Sequence, residues 1–218
     1  MAKKKNLKES DIVDFYMEHV LKHDKQPKSV FSFAESYNFD ESLFYSYFTN
    51  FEALEQHIFK VFFDNTVSLL SQSEDYINFD ARNKLLSFYY TFFEILTANR
   101  TYVVCVLENK EYNLKKLRVL SQLKQSFTNY INHLDIKTVD LKQDTIDNVL
   151  NKTLLESAWF QLLVTLKFWL DDTSNSFENT DVFIEKSVNT SFDIIDIKAL
   201  KSIIDFGKFL FKEKMQSH

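Results

Sequence analysis

One glycine and one proline in 218 residues, Gly207 and Pro27, constrain this chain more than any other feature. Average usage would give roughly 15 glycines and 11 prolines. Hairpins and sheets draw on glycine for turns with positive φ, so a chain this poor in it is badly equipped for a β-rich fold. Helices lose stability through both residues, and their scarcity therefore points to an all-α fold. It also excludes glycine-rich phosphate loops and dinucleotide fingerprints. An apolar content of 45% is enough for a buried core, either in one large domain or in two small ones.

Cys105 is the only cysteine, so disulfide scaffolds and multi-thiolate zinc sites are excluded, and a cytoplasmic setting is expected. The opening "MAKKKNLKESD" carries lysines without an apolar stretch and does not read as a secretory signal. No apolar run reaches the length of a membrane span; "WFQLLVTLKFWL" (159–170) is short and holds Lys167.

Apolar spacing predicts helices almost throughout. Ile12, Phe15, Tyr16, His19 and Val20 share one face of a first helix ending near Lys22. Pro27 interrupts, Ser29 is placed to cap a second helix over 30–37, and Asn38 suits the left-handed residue that follows a helix. Asp40 is placed to cap a third helix over about 41–48, and a longer one follows over about 50–73. Helices this short and this closely joined describe a helix-turn-helix unit. Further helices are expected over about 81–98, 100–109, 111–134, 143–171, 180–196 and 198–215, with polar stretches such as "SQSEDYINFD" and "DDTSNSFENT" between some of them.

On these residues the chain resembles the tetracycline-repressor (TetR) family of transcriptional regulators. "IVDFYMEHV" (12–20), "KSVFSFAESYNFD" (28–40), "SLFYSYF" (42–48) and "FEAL" (51–54) follow that family's N-terminal pattern without a gap. Ala34, Tyr45, Tyr47, Phe48, Glu52 and Leu54 match it best. The resemblance implies a DNA-binding part over residues 1–50 and a helical ligand-binding and dimerisation part over 51–218. It also implies a homodimer joined by its last two long helices and a small hydrophobic effector. Ser42, Ser46 and Tyr47 would read bases and Tyr45 would hold phosphate, with help from Lys28. A basic arm of Lys3, Lys4 and Lys5 would track phosphates or enter the minor groove. The effector would be lined by some of Phe88, Phe92, Tyr102, Cys105, Trp159, Phe160 and Leu163.

The sequence departs from the family pattern on the DNA side. Asn38 replaces the turn glycine, Glu41 a frequent basic residue and Phe51 a phosphate-binding lysine. Residues 9–60 hold ten acids against four lysines, a net charge of −6, whereas DNA as a polyanion favours a basic partner. A second reading therefore stands beside the first: a TetR-fold lipid- or isoprenoid-binding protein that has lost DNA binding. The segment 198–214 is amphipathic and Phe-rich with a net charge of +3, so it could pack on the core or contact an anionic membrane surface. Catalysis has little support. His19 and His23 have helical metal-pair spacing but no obvious third ligand, no Glu-x-x-His or Gly-x-Ser-x-Gly occurs, and no cofactor or metal is expected.

Overall fold

The computed structural model describes residues 7–108, 116–134, 136 and 144–196. Every regular element among them is helical, as the scarcity of glycine and proline predicts. The segment 198–214 and Lys3, Lys4 and Lys5 lie outside the described residues. Contacts cluster into two compact units, one of residues 1–72 and 91–127 and the other of residues 73–90 and 128–218.

The first unit begins with α1 (Glu9–His23), whose Ile12, Tyr16 and Val20 are buried on the face that the apolar spacing marks. Asp24 ends α1 in the left-handed conformation at φ 51°, which Asp and Asn tolerate better than most residues where no glycine is present. Pro27 is buried in the connector that follows. α2 (Val30–Tyr37) starts at Ser29, whose hydroxyl accepts from the Ser32 amide at 3.1 Å, and stops at Asn38 with φ 54°. The amides of Asn38 and Phe39 then return to the carbonyls of Glu35 and Ala34, closing the tight turn. α3 (Glu41–Tyr47) follows with Asp40 at its N-cap position, although the Asp40 side chain makes no capping bond. α4 (Phe51–Ser71) is capped by Asn50, whose side chain accepts from the Ala53 amide at 2.8 Å. α7 (Arg100–Glu108) and α8 (Lys116–Val119) also belong to this unit; α7 packs against α1, and α8 against α4.

The second unit holds α5 (Glu74–Asn78), a short helix inside the stretch read as a polar separator, where Ser73 caps a single turn. α6 (Ala81–Ala98) contributes its residues up to Tyr90 to this unit and the remainder to the first. α9 (Ser121–Asn132) likewise passes from the first unit to the second at Thr128. The single helix expected over 111–134 is thus divided, with α8 ending at Val119 and α9 starting at Ser121. α10 (Asp144–Asp171) and α11 (Glu178–Asp196) form an antiparallel pair buried through Trp159, Leu162, Leu166, Trp169, Ile184 and Val188. Gln161 bonds across the pair to both Ser187 and Ser191. Arg82 fastens the start of α6 to α11 through Asn189 and Asp193, and its guanidinium lies 5.4 Å from the Phe192 ring centre. Tyr76 and Tyr130 meet hydroxyl to hydroxyl at 2.7 Å, and Tyr130 donates to the Lys84 carbonyl.

Candidate functional site

The helix-turn-helix core is aromatic. Phe33 is fully buried and meets the rings of Tyr16, His19, Tyr37, Phe39, Phe44 and Phe51 at centroid distances between 5.2 and 6.3 Å. Phe44 and Phe48 turn inward from α3, which fixes what the helix turns outward. Ser42, Tyr45, Ser46 and Tyr47 all stand in solvent, the two tyrosines at 54% and 42% exposure. The Ser46 hydroxyl bonds back to the Leu43 carbonyl at 2.7 Å. Lys28 is exposed in the α1–α2 connector beside Lys25. Lys22 and Lys60 are paired with Glu18 and Asp64 on their own helices. Glu35 and Asp40 are exposed and Glu41 half-exposed, so the acidic character of the sequence is also a property of this surface.

A cavity of about 620 Å³ lies within the first unit. Pro27 and Val30 from the α1–α2 connector and the start of α2, Phe51 and Glu55 from α4, and Cys105 and Val106 from α7 line it, with Lys25, Lys28, Tyr45, Thr49, Asn50 and Glu52 also on its wall. Glu55 falls on the apolar stripe of α4 with Phe51, Leu54, Ile58 and Phe62, and it accepts a 2.6 Å hydrogen bond from the Tyr16 hydroxyl through Oε1. Burial, followed by the Glu55 charge, pushes the Tyr16 hydroxyl well above its usual pKa and keeps it a donor. Burial also raises the Glu55 carboxyl above the ordinary range; the Tyr16 bond opposes this and the Glu52 charge adds to it. The Cys105 thiol is raised by burial and then by Asp24 and Glu55. The Tyr102 hydroxyl is buried with no hydrogen-bond partner among the described residues, and burial, followed by Glu55 and Cys105, pushes it well above its usual pKa.

Of the seven residues expected to line an effector site, Phe92, Tyr102 and Cys105 fall in the first unit, and only Cys105 borders this cavity. Phe88, Trp159, Phe160 and Leu163 fall in the second. Phe88 and Trp159 are buried there, Phe88 with its ring 4.8 Å from that of Tyr130, and Leu163 is half-buried. Phe160 is 67% exposed, beside a shallow hollow bordered by Lys152, Glu156 and Ser157. The charged members of the cavity escape a search for aromatic pockets. The signal that could have found them is a carboxylate, Glu55, sitting where helical periodicity calls for an apolar residue.

His19 and His23 bring their rings to 4.4 Å, with His19 seated edge-on against Phe33, and burial, then the neighbouring His23 and Lys25, lowers the His19 pKa. Among the described residues no group of three or more His, Cys, Asp or Glu side chains gathers as a metal site. No described helix is long and apolar enough to cross a membrane.

No curated protein matches the chain. The family described as tetracyclin repressor-like, C-terminal domain, matches residues 84–210, which is more than half of the sequence and lies wholly outside the N-terminal stretch that carries the motif resemblance. Two separate parts of the sequence thus point the same way, and the chain belongs to the tetracyclin repressor-like family.

Proposed function

We propose that the protein is a cytoplasmic, ligand-responsive transcriptional regulator, a repressor that binds DNA as a homodimer and takes a small hydrophobic effector in its helical part, residues 51–218. The observation that carries this reading is the outward face of α3: Ser42, Tyr45, Ser46 and Tyr47 are in solvent while Phe44 and Phe48 hold the helix to the core. These are side chains suited to base edges and phosphates, on an element of the size that fits a major groove. The acidic residues beside them shift the task of charge neutralisation to Lys25, Lys28 and the arm of Lys3, Lys4 and Lys5. The apolar effector is proposed from the family resemblance and from the aromatic runs of the sequence that hold Phe88, Phe92, Tyr102 and Trp159. Occupancy would shift α4 and so the spacing of two α3 helices, with a coupling equal to the difference in ligand affinity between the two dimer geometries.

Fluorescence anisotropy tests this with the gene's own upstream DNA and a scrambled control across a salt series. Sub-micromolar binding that prefers the upstream DNA and weakens with salt is the expected result. Deleting residues 1–8 removes Lys3, Lys4, Lys5 and Lys8. That deletion should flatten the logarithmic salt slope by about 3 if most of these lysines neutralise phosphates, at roughly 0.9 per contact. A folded dimer that ignores DNA even at low salt would favour the lipid- or isoprenoid-binding reading, with 198–214 as its membrane-facing candidate.

The dimer reading has its own support. α10 carries apolar residues on all sides, the pattern of a helix covered all round. Its Phe160, Val164 and Phe168 form an exposed stripe at four-residue spacing, continued on α11 by Val182 and by Phe183, which stacks on Phe168 at 4.6 Å. We assign Phe160 to this stripe rather than to the effector site. Burying one exposed Phe contributes about 1.5–3 kcal/mol, and two-fold symmetry counts each side chain twice. The double substitution Phe160→Glu with Val164→Glu should therefore weaken self-association at least about a hundredfold, a change of roughly 2.8 kcal/mol. In sedimentation, a wild-type protein that is already monomeric would contradict the assignment.

A further inference from the structure

We propose that the half-open cavity bordered by the α1–α2 connector, the α3–α4 turn, α4 and α7 binds a small amine, with its protonated amino group paired to Glu55 and its apolar body against Val20, Val30, Phe51 and Val106. Of the residues proposed for the hydrophobic effector only Cys105 borders this cavity, and the proposal stands whether or not the protein reads DNA.

The geometry of Glu55 argues for it. One carboxylate oxygen takes the Tyr16 hydroxyl; the other has no hydrogen bond or ion pair among the described residues, although the carboxylate is half-buried on an apolar helix face. A carboxylate in such a place normally has a cationic partner, because an unpaired buried charge is costly. Glu52 has Arg118 at 4.0 Å, and Glu9 has His57 at 2.8 Å; Glu55 has neither. The cavity wall also carries Cys105 from α7, three residues after Tyr102, whose buried hydroxyl has no hydrogen-bond partner among the described residues. At about 620 Å³ the cavity falls in the range of small-molecule sites.

Lys25 and Lys28 on the same wall are the counter-argument, since lysines attract an anion. Both are exposed, where water screens their charge, whereas Glu55 sits where the lower dielectric makes pairing stronger. The amine is therefore placed inside, and any anionic group it carries would lie toward the lysines. A ligand seated there touches the segments that present Lys28 and Tyr45, so occupancy would bear directly on the helix-turn-helix unit.

Isothermal titration calorimetry of the full chain with phenethylamine and with 3-phenylpropionate tests the proposal, since the two probes share an apolar body and differ in charge. Phenethylamine should bind and 3-phenylpropionate should not. Glu55→Gln keeps an acceptor for Tyr16 and should weaken phenethylamine at least tenfold. Val106→Phe, which narrows the cavity at the apolar wall while keeping the carboxylate, should weaken phenethylamine at least tenfold and secures the test if Glu55→Gln melts early. Equal binding of both probes overturns the proposal, as does undiminished binding in both variants or no binding of phenethylamine at millimolar concentration.

Discussion

Phe33→Ala is expected to cost about 3–5 kcal/mol, a large share of the 5–15 kcal/mol that holds a typical domain together. Six aromatic rings from α1, α2, α3, α4 and the α2–α3 turn converge on Phe33, so removing it empties the centre of the helix-turn-helix unit. Rigid helices on every side leave little room for collapse, which places the cost in the upper part of the range for large-to-small changes. In a chain of this length the midpoint of thermal unfolding should fall by about 10 °C, at roughly 2–4 °C per kcal/mol. Phe31, two residues earlier on the same helix, is 63% exposed and supplies the control. Phe31→Ala should change stability by no more than about 0.5 kcal/mol. Equal melting of the two variants would show that the ring cluster does not organise the unit. If the protein binds DNA as proposed, that binding should follow stability, because Phe44 and Phe48 orient α3 through the same cluster.

The helix-turn-helix unit was legible because local chemistry decides it. Ser29 caps α2, Asn38 takes the left-handed turn, and the inward phenylalanines recur at helical spacing, all within about twenty residues. The paired long helices α10 and α11 were legible in the same way, with ends within two residues of those the pattern suggests. The separator between α4 and α6 conceals a turn of helix because Ser73 caps α5, a detail that polarity alone hides. The division of α8 from α9 is likewise not marked by glycine or proline and escapes a reading based on breakers. Site residues were less legible than fold residues for a physical reason. Aromatic side chains at helical spacing announce a core, and whether a core encloses a cavity depends on packing between distant segments. Thus Phe160, inside an aromatic run, stands outward, while Glu55, among residues that look purely structural, borders the cavity of the first unit.

Asp172→Ala should be the most damaging polar substitution in the α10–α11 pair, at about 3 kcal/mol, because it leaves buried donors without an acceptor. α10 stops at Asp171, and the chain must reverse without a glycine. Ser176 and Phe177 both adopt positive φ, 52° and 62°, which costs roughly 1–2 kcal/mol for each non-glycine residue. Asp172 offsets that cost. Its Oδ1 accepts from the Ser174 amide and hydroxyl at 2.8 and 2.7 Å, and its Oδ2 accepts from the Thr180 amide and hydroxyl at 2.9 and 2.6 Å. Burial alone would raise the carboxyl, but the four donors outweigh it and hold the pKa at about 2. An unfolded aspartate titrates near 3.9, so the folded pKa is the lower of the two. The stabilisation is therefore fully present above about pH 4 and is lost as pH falls through about 2. Urea midpoints of wild type and Asp172→Ala should differ most at pH 6 and converge between about pH 4 and pH 2. A difference that stays constant across that window would mean the charge of Asp172 contributes nothing and only its shape matters. Asp172→Asn makes the distinction sharper, since its amide nitrogen would face two donors and its loss at pH 6 should approach that of alanine. The same loop joins α10 to α11, the two helices that carry Phe160 and Val182. If those helices join two protomers, Asp172→Ala should also weaken the dimer at pH 6, where the chain is still folded, and not only lower its melting point.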